Sequence, residues 1–387
     1  MKVLAKGMLA ASAALVMLAA CTEPKKAEAE LTLSGLNPEL FADSVAGTQL
    51  FTLKNAAGME VCITNFGGRI VSIMVPDNKG EMKDVVLGFD NVATFMDKEN
   101  HPSDFGAAIG RYANRIAQGK ITVDGQEIQL PKNNFGHCLH GGPDGWQYKA
   151  YEAVEATDNM LKLKMVSPDG DNNFPGEVTA VVTYTLTDDN IIDIRYEATT
   201  DAPTVINMTN HSYFNLNGDP AQPITNHELY VNADSYTPVD STFMTTGEIA
   251  PVEGTPMDFR TPHAVGQDIT NFDFEQVKNG NGFDHNWCLN TKGDDTQVCA
   301  SIYSPATGIF LEVYTDEPGI QVYSGNFLDG TAIGKKGIVY NQHAAICLET
   351  QKYPDSPNKS NLEGWPNAYL NPGETYTSHC AYKFSVK

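Results

Sequence analysis

Residues 178–187 alternate. Val178, Ala180, Val182, Tyr184 and Leu186 fall on one side, and threonines dominate the other. Successive side chains of an extended chain point to opposite faces, so a period of two marks a strand with one buried face. Asp188-Asp189-Asn190 then turns the chain into a second alternating run, residues 191–198. Residues 120–130 repeat the pattern around Asp124-Gly125, the pair that tolerates the positive φ a type I′ hairpin turn needs. Further short runs lie at 61–66, 69–75, 229–231, 300–303, 309–315, 319–324 and 343–349, with Gly, Pro and Asn between them. No stretch of about twelve residues carries a 3.6-residue period between caps. A helical bundle and an alternating α/β fold are both excluded. The pattern predicts an all-β protein, a large antiparallel sandwich. No Pro/Ser-rich linker follows Glu30, so residues 31–387 are expected to form one domain.

The N-terminus has a different grammar. Lys2 and Lys6 precede an apolar run from Met8 to Ala20, shorter than a comfortable membrane span. It ends Leu18-Ala19-Ala20-Cys21, which resembles the lipobox of bacterial lipoproteins. That resemblance implies a signal peptide over residues 1–20, a lipid on Cys21, and membrane attachment through the lipid alone. Residues 21–30, charged and without apolar period, read as a tether. The protein is then exported and anchored to the cell envelope, with the outer membrane favoured because Thr22, not an aspartate, follows the cysteine. Cys62, Cys138, Cys288, Cys299, Cys347 and Cys380 show no CxxC spacing. They are expected to be mostly buried thiols, not zinc ligands or a framework of disulfides.

The formal net charge of −22 excludes nucleic acid as a partner, because phosphates call for a basic surface. A neutral polar ligand such as a sugar suits an acidic protein.

Polar residues cluster where strands should be apolar. Asn207-Met208-Thr209-Asn210-His211-Ser212-Tyr213 follows a short strand and sets a histidine among amides and hydroxyls. A histidine can exchange a proton near neutral pH if its neighbours orient it; the plainer reading is a structural histidine in a sheet. Arg111 and Arg115 flank Asn114 in Gly110-Arg111-Tyr112-Ala113-Asn114-Arg115, a fork able to hold hydroxyls or a carboxylate, or to form structural ion pairs. Glycines beside His140 allow close backbone approach to a ligand, and Trp146 could face a sugar or plug a loop. No spaced His/acid metal pattern occurs, so no metal is expected. Ile346-Cys347-Leu348-Glu349 reads as an apolar strand ending on a carboxylate, which would put Glu349 at the sandwich rim under the loop of Pro354 and Pro357.

Seven motifs together resemble the aldose 1-epimerases, or galactose mutarotases. They are GRYANRI, LHGGPDGW, NMTNHSYFNL, FDHNW, EPGIQVYSGNFLDG, LETQKYPDSPN and YLNPGETY, running from about Ser44 to the C-terminus. The resemblance implies the galactose-mutarotase-like β-supersandwich and the interconversion of α and β anomers of free aldoses without a cofactor. Matched position by position, Glu349 corresponds to the general base and His211 to the general acid. Asn114, Arg115, His140, Asp284 and Gln321 correspond to sugar contacts, and Tyr213 lies where the family lines its pocket. Mutarotation fits this pair, since it needs one proton taken from the C1 hydroxyl and one given to the ring oxygen. A neighbouring carboxylate is expected to hold the histidine protonated near neutral pH. The partner is a free monosaccharide, and the chain is expected to act as a monomer. A sugar-binding lipoprotein without turnover, a glycosidase using Asp284 as a second acid, and a hexose-phosphate epimerase remain as other readings.

Overall fold

In the computed structural model, residues 30–387 are described. The signal segment, Cys21 and residues 22–29 of the tether lie outside them. Nine antiparallel strands form the larger sheet. Its centre is Val178–Leu186 paired to Ile191–Thr200, then Tyr376–Val386, then Ile309–Thr315. The five alternating residues of Val178–Leu186 are all buried, as the pattern predicts, and their neighbours are only partly covered. Fully burying one such large apolar side chain contributes about 1.5–3 kcal/mol, so this face dominates the choice of register.

A second sheet of six strands lies against that face. Its order is Tyr213–Phe214, Ile346–Gln351, Gly319–Tyr323, Asp284–Cys288, Ser235–Thr237 and Ala250–Pro251. Trp287, Ile320, Val322, Ile346 and Leu348 share one core with Val182, Tyr184 and Tyr382 of the larger sheet. The Tyr382 hydroxyl donates to the Leu348 carbonyl, 3.1 Å away, and ties the layers together. The two layers make the antiparallel galactose-mutarotase-like sandwich that the sequence leads one to expect.

Asp124 and Gly125 both have positive φ and join Lys120–Val123 to Gln126–Gln129, the expected hairpin. The α-helices among the described residues are single turns or little more, the longest being Glu275–Gly280. Residues 61–66 depart from expectation. The strand is Glu60–Thr64, and all five residues are buried, because both of its faces are covered. The six cysteines of the described residues are free and buried. Desolvation pushes the Cys62 thiol up to about 11 and those of Cys138 and Cys380 up to about 12, as expected for small hydrophobes rather than reactive groups.

Candidate active site

The six-stranded sheet buries one face in the core and turns the other toward a cleft. Period-two geometry decides which residues go where. Glu349 stands opposite Gln321, and Gln321 opposite Asn286. One pair along, Tyr213 stands opposite Cys347, Cys347 opposite Tyr323, and Tyr323 opposite Asp284. These two rows share the cleft face, while Leu348, Val322, His285 and Trp287 alternate to the core. His285 and Trp287 of the FDHNW motif are thus packing residues, and Asp284 is the one that reaches the cleft.

Thr209–His211 brings the histidine in from above, paired with Ala107–Ile109. His211 Nε2 lies 3.5 Å from Glu349 Oε1, with the two residues only 4% and 2% exposed. The imidazole is stacked on the Tyr213 ring at 5.0 Å and meets the edge of His140 at 5.1 Å, so its plane is fixed on two sides. His140 has φ +50° and precedes Gly141 at φ +80°, where a Cβ would stand 2.2 Å from the Gly110 carbonyl oxygen. Its Nδ1 accepts the Asn114 backbone N–H at 3.1 Å. A neutral imidazole with an accepting Nδ1 carries its proton on Nε2, so His140 presents a donor to the cleft. The Asn114 side chain accepts the Arg115 N–H, and Arg115 Nε donates to Asn134 while its guanidinium lies over Phe243. Gln321 Nε2 donates to Asp284 Oδ1 at 2.7 Å. Asn114, Arg115, His140, His211, Tyr213, Asp284 and Glu349 all line a cavity of about 440 Å³, within the usual range for small-molecule sites. Gln321, on the same face of the sheet, is braced against Asp284.

Several sequence readings are corrected here. Glu349 does not end a strand at a rim. It lies inside Ile346–Gln351, a strand buried along its whole length. The Pro354–Pro357 loop does not cover it. Asp355 donates its N–H to the Arg115 carbonyl and accepts the Ala117 N–H, so the loop buttresses the Arg115 segment from behind. Arg111 is not part of a fork. It is buried and donates to the Pro175 and Gly176 carbonyls and to the Ser167 hydroxyl. Trp146 takes the second of the two uses open to it: it plugs the loop, filling the space where a Cβ on Gly110 would stand, 2.0 Å from its ring. Asp104, Asn134, Tyr323 and Phe327 also line the cleft. Of these, Asp104 carried no signal in the sequence beyond an acid beside a glycine turn.

Electrostatics also differ from expectation. Burial pushes the Glu349 carboxyl well above its usual range, and Asp284 and Asp104 add to this against the opposing Arg115. Burial pushes the His211 imidazole down, with Asp104 opposing. Desolvation therefore outweighs the help Asp104 gives the imidazolium, and burial works against charge on both members of the pair. His140 is driven down to about 3 by burial, and burial raises Asp284 against Arg115. Glu349 Oε2, His211 Nδ1, Gln321 Oε1 and Asp104 Oδ1 are buried without a hydrogen-bond partner. Orphaned polar atoms at one cleft are a feature of sites that complete their hydrogen bonds with a ligand.

The raised carboxyl has a consequence for stability. Between its ordinary value of 4.5 and its raised value, the folded protein holds a proton that the unfolded chain lacks. The stability that Glu349 contributes therefore falls as pH rises through that window. Glutamine has no such proton to lose. Glu349→Gln is expected to match wild type near pH 4.5 and to melt at a higher temperature than wild type at pH 8. A melting-temperature difference that does not change with pH contradicts this.

The fold and the site together define an acid–base enzyme for a small polyhydroxylated molecule. The aldose 1-epimerase family model matches residues 49–383. The chain belongs to the aldose 1-epimerase family. It is 43% identical over 328 residues to a galactose mutarotase from Rattus norvegicus, covering 85% of this chain and 92% of that one. It is 38% identical over 339 residues to an aldose 1-epimerase from Escherichia coli strain K12, covering 87% and 95%. Among solved structures, the aldose epimerase homologue from C. elegans superposes with a TM-score of 0.80 at 30% identity, covering 88% of this chain and 99% of that one.

Proposed function

We propose that this protein interconverts the α and β anomers of free aldoses, with Glu349 as general base and His211 as general acid. The observation that carries the reading is the 3.5 Å contact of a buried carboxylate with a buried imidazole on the cleft floor. Glu349 takes the proton of the C1 hydroxyl, and that O–H electron pair becomes the carbonyl π bond. The C1–O5 bond breaks, and O5 takes a proton from His211. The open-chain aldehyde turns about C1–C2, and closure on the other face reverses both transfers. Neither group forms a bond to carbon, and the pair is restored after each turnover.

The reaction needs the proton on His211 and a bare carboxylate, and burial works against both charges. A bound sugar supplies what is missing: its C1 hydroxyl donates to the carboxylate and its ring oxygen accepts from the imidazolium. Both bonds stabilise the charged forms. Arg115, Asn114, His140 and Asp284 hold the remaining hydroxyls, Gln321 braces Asp284, and Tyr213 holds the His211 ring in plane. A single domain, residues 31–387, carries the whole site. Polarimetry on freshly dissolved α-anomers tests the activity. A non-catalytic sugar binder of the same fold would leave the spontaneous rate unchanged.

The second part of the proposal is location. Leu18-Ala19-Ala20-Cys21 after a basic start supports export and a lipid anchor on Cys21 in a bacterial envelope, as a monomer acting on free sugars there. Labelled palmitate is expected in the wild type and absent from Cys21→Ser. Equal labelling of the two proteins rules the anchor out.

A further inference from the structure

We propose that Asp104 reads the hydroxymethyl group of the substrate, accepting a hydrogen bond from the C6 hydroxyl and so setting a preference for hexoses over pentoses and against sugars with an anionic C6. The proposal rests on the acid–base reading above, which fixes how the ring lies.

The chain takes trouble to place this carboxylate. Asp104 opens a turn closed by the Ala107 N–H on its carbonyl at 3.0 Å. Gly106, two residues on, has φ +68°, and a Cβ there would stand 1.9 Å from the Ile70 carbonyl oxygen, so no other residue fits. The Gly106 N–H donates to the His211 carbonyl, and the Asn210 side chain donates to the Gly106 carbonyl. Arg69, buried, reaches the segment from behind. It donates Nη1 to the Phe105 carbonyl and Nη2 to the Ser103 carbonyl, at 3.0 and 3.1 Å. The turn that carries Asp104 is thereby tied to the strand that carries His211.

The result is a tight triad. One carboxylate oxygen of Asp104 and one ring nitrogen each of His140 and His211 lie within 4.8 Å of one another. Asp104 Oδ1 is buried with no hydrogen-bond partner. The set does not suit a metal ion, because the accepting Nδ1 of His140 leaves its Nε2 protonated and without a free lone pair. An acceptor carboxylate beside an N–H donor suits a hydroxyl, which accepts from one and donates to the other.

The lie of the ring identifies the hydroxyl. Glu349 takes O1 and His211 takes O5. Asp284 and Gln321 neighbour Glu349 on its own sheet, whereas Asp104 lies on the His211 side. Beyond O5, away from C1, the ring continues to C5. In a hexose C5 carries the C6 hydroxymethyl group; in a pentopyranose it carries only hydrogen. A gap of at most 4.8 Å between a ring nitrogen of His211 and a carboxylate oxygen of Asp104 leaves room for adjacent sugar oxygens, O5 on the imidazole and O6 on the carboxylate, each at about 2.8 Å. A carboxylate or phosphate at C6 would meet the Asp104 charge.

The test compares sugars that differ only at C6: D-glucose with D-xylose, and D-galactose with L-arabinose. Wild type is expected to favour the hexose of each pair in kcat/KM. In Asp104→Ala the hexose-to-pentose ratio should fall by about tenfold or more, the usual scale for a lost hydrogen bond to a charged acceptor. A role exercised only through His211 or the fold would move both sugars together, so an unmoved ratio overturns the proposal whatever happens to the absolute rates. Asp104→Asn keeps the shape and should raise the D-glucuronate-to-glucose ratio; no rise there also overturns it. A wild type inactive on both sugars of a pair fails the acid–base reading instead, so the two failures are distinguishable.

Discussion

Glu349→Gln lowers kcat for D-galactose and D-glucose by roughly 10²–10⁴-fold, the range for loss of one positioned base. Glutamine preserves the side chain's length and its place opposite Gln321, so the cleft is expected to keep its shape. What it removes is the carboxylate that lies 3.5 Å from the His211 imidazole. Sugar binding should survive in part, because Arg115, His140 and Asp284 remain, and the loss should fall on kcat more than on KM. The same variant is expected to be the more stable protein at alkaline pH, because it has no buried carboxyl to ionise. Weaker catalysis from a better-folded protein would separate a catalytic role for Glu349 from a structural one. Near-normal turnover in an intact fold would place the base elsewhere.

His211→Asn should cost as much. Proton removal and proton delivery are halves of one ring opening, so the double variant should be little worse than either single one. The pH dependence of kcat/KM should be bell-shaped and belong to the pair rather than to either residue. Its active form holds one proton. A second proton must go to an imidazole that burial has pushed below 6.5, so the acidic limb should fall below that value. Loss of the single proton from the pair is resisted by burial of the Glu349 carboxyl, so the alkaline limb should lie above the usual carboxylate range. An acidic limb at or above 6.5 would show that the neighbouring carboxylates outweigh desolvation at His211.

The sequence disclosed this fold unevenly, and the reasons are physical. Val178–Leu186 and the Asp124-Gly125 hairpin were legible because one face is wet and the turn residues are specific. Met160–Ser167 and Tyr376–Val386 were missed, although the first alternates buried and partly buried residues. Tyr376–Val386, the longest strand, is buried through most of its length because it lies between two others in mid-sheet, and period two fades there. Glu349 was recognised as functional but placed at a rim, because an apolar run before a carboxylate looks like a strand end. Register, which a single sequence does not show, put it mid-strand beside Gln321. The motifs located His211, Asn114, Arg115, His140 and Asp284 on the chain, and the fold brings them to one cleft. Arg111 shared the motif of Arg115 but points the other way, into carbonyls that only the folded chain assembles. Asp104 was invisible because its meaning depends on Arg69, Gly106 and His211 meeting in space.

One buried carboxylate–imidazole pair opens and closes the sugar ring in this account. The most direct measurement follows the optical rotation of freshly dissolved α-D-galactose and α-D-glucose with purified wild type, Glu349→Gln and His211→Asn. Wild type should bring the rotation to the ordinary equilibrium value far faster than the spontaneous reaction, without forming any other sugar. Each variant should lose at least about 10²-fold of that acceleration. A wild type that leaves the spontaneous rate unchanged, or variants that match it, would contradict the account.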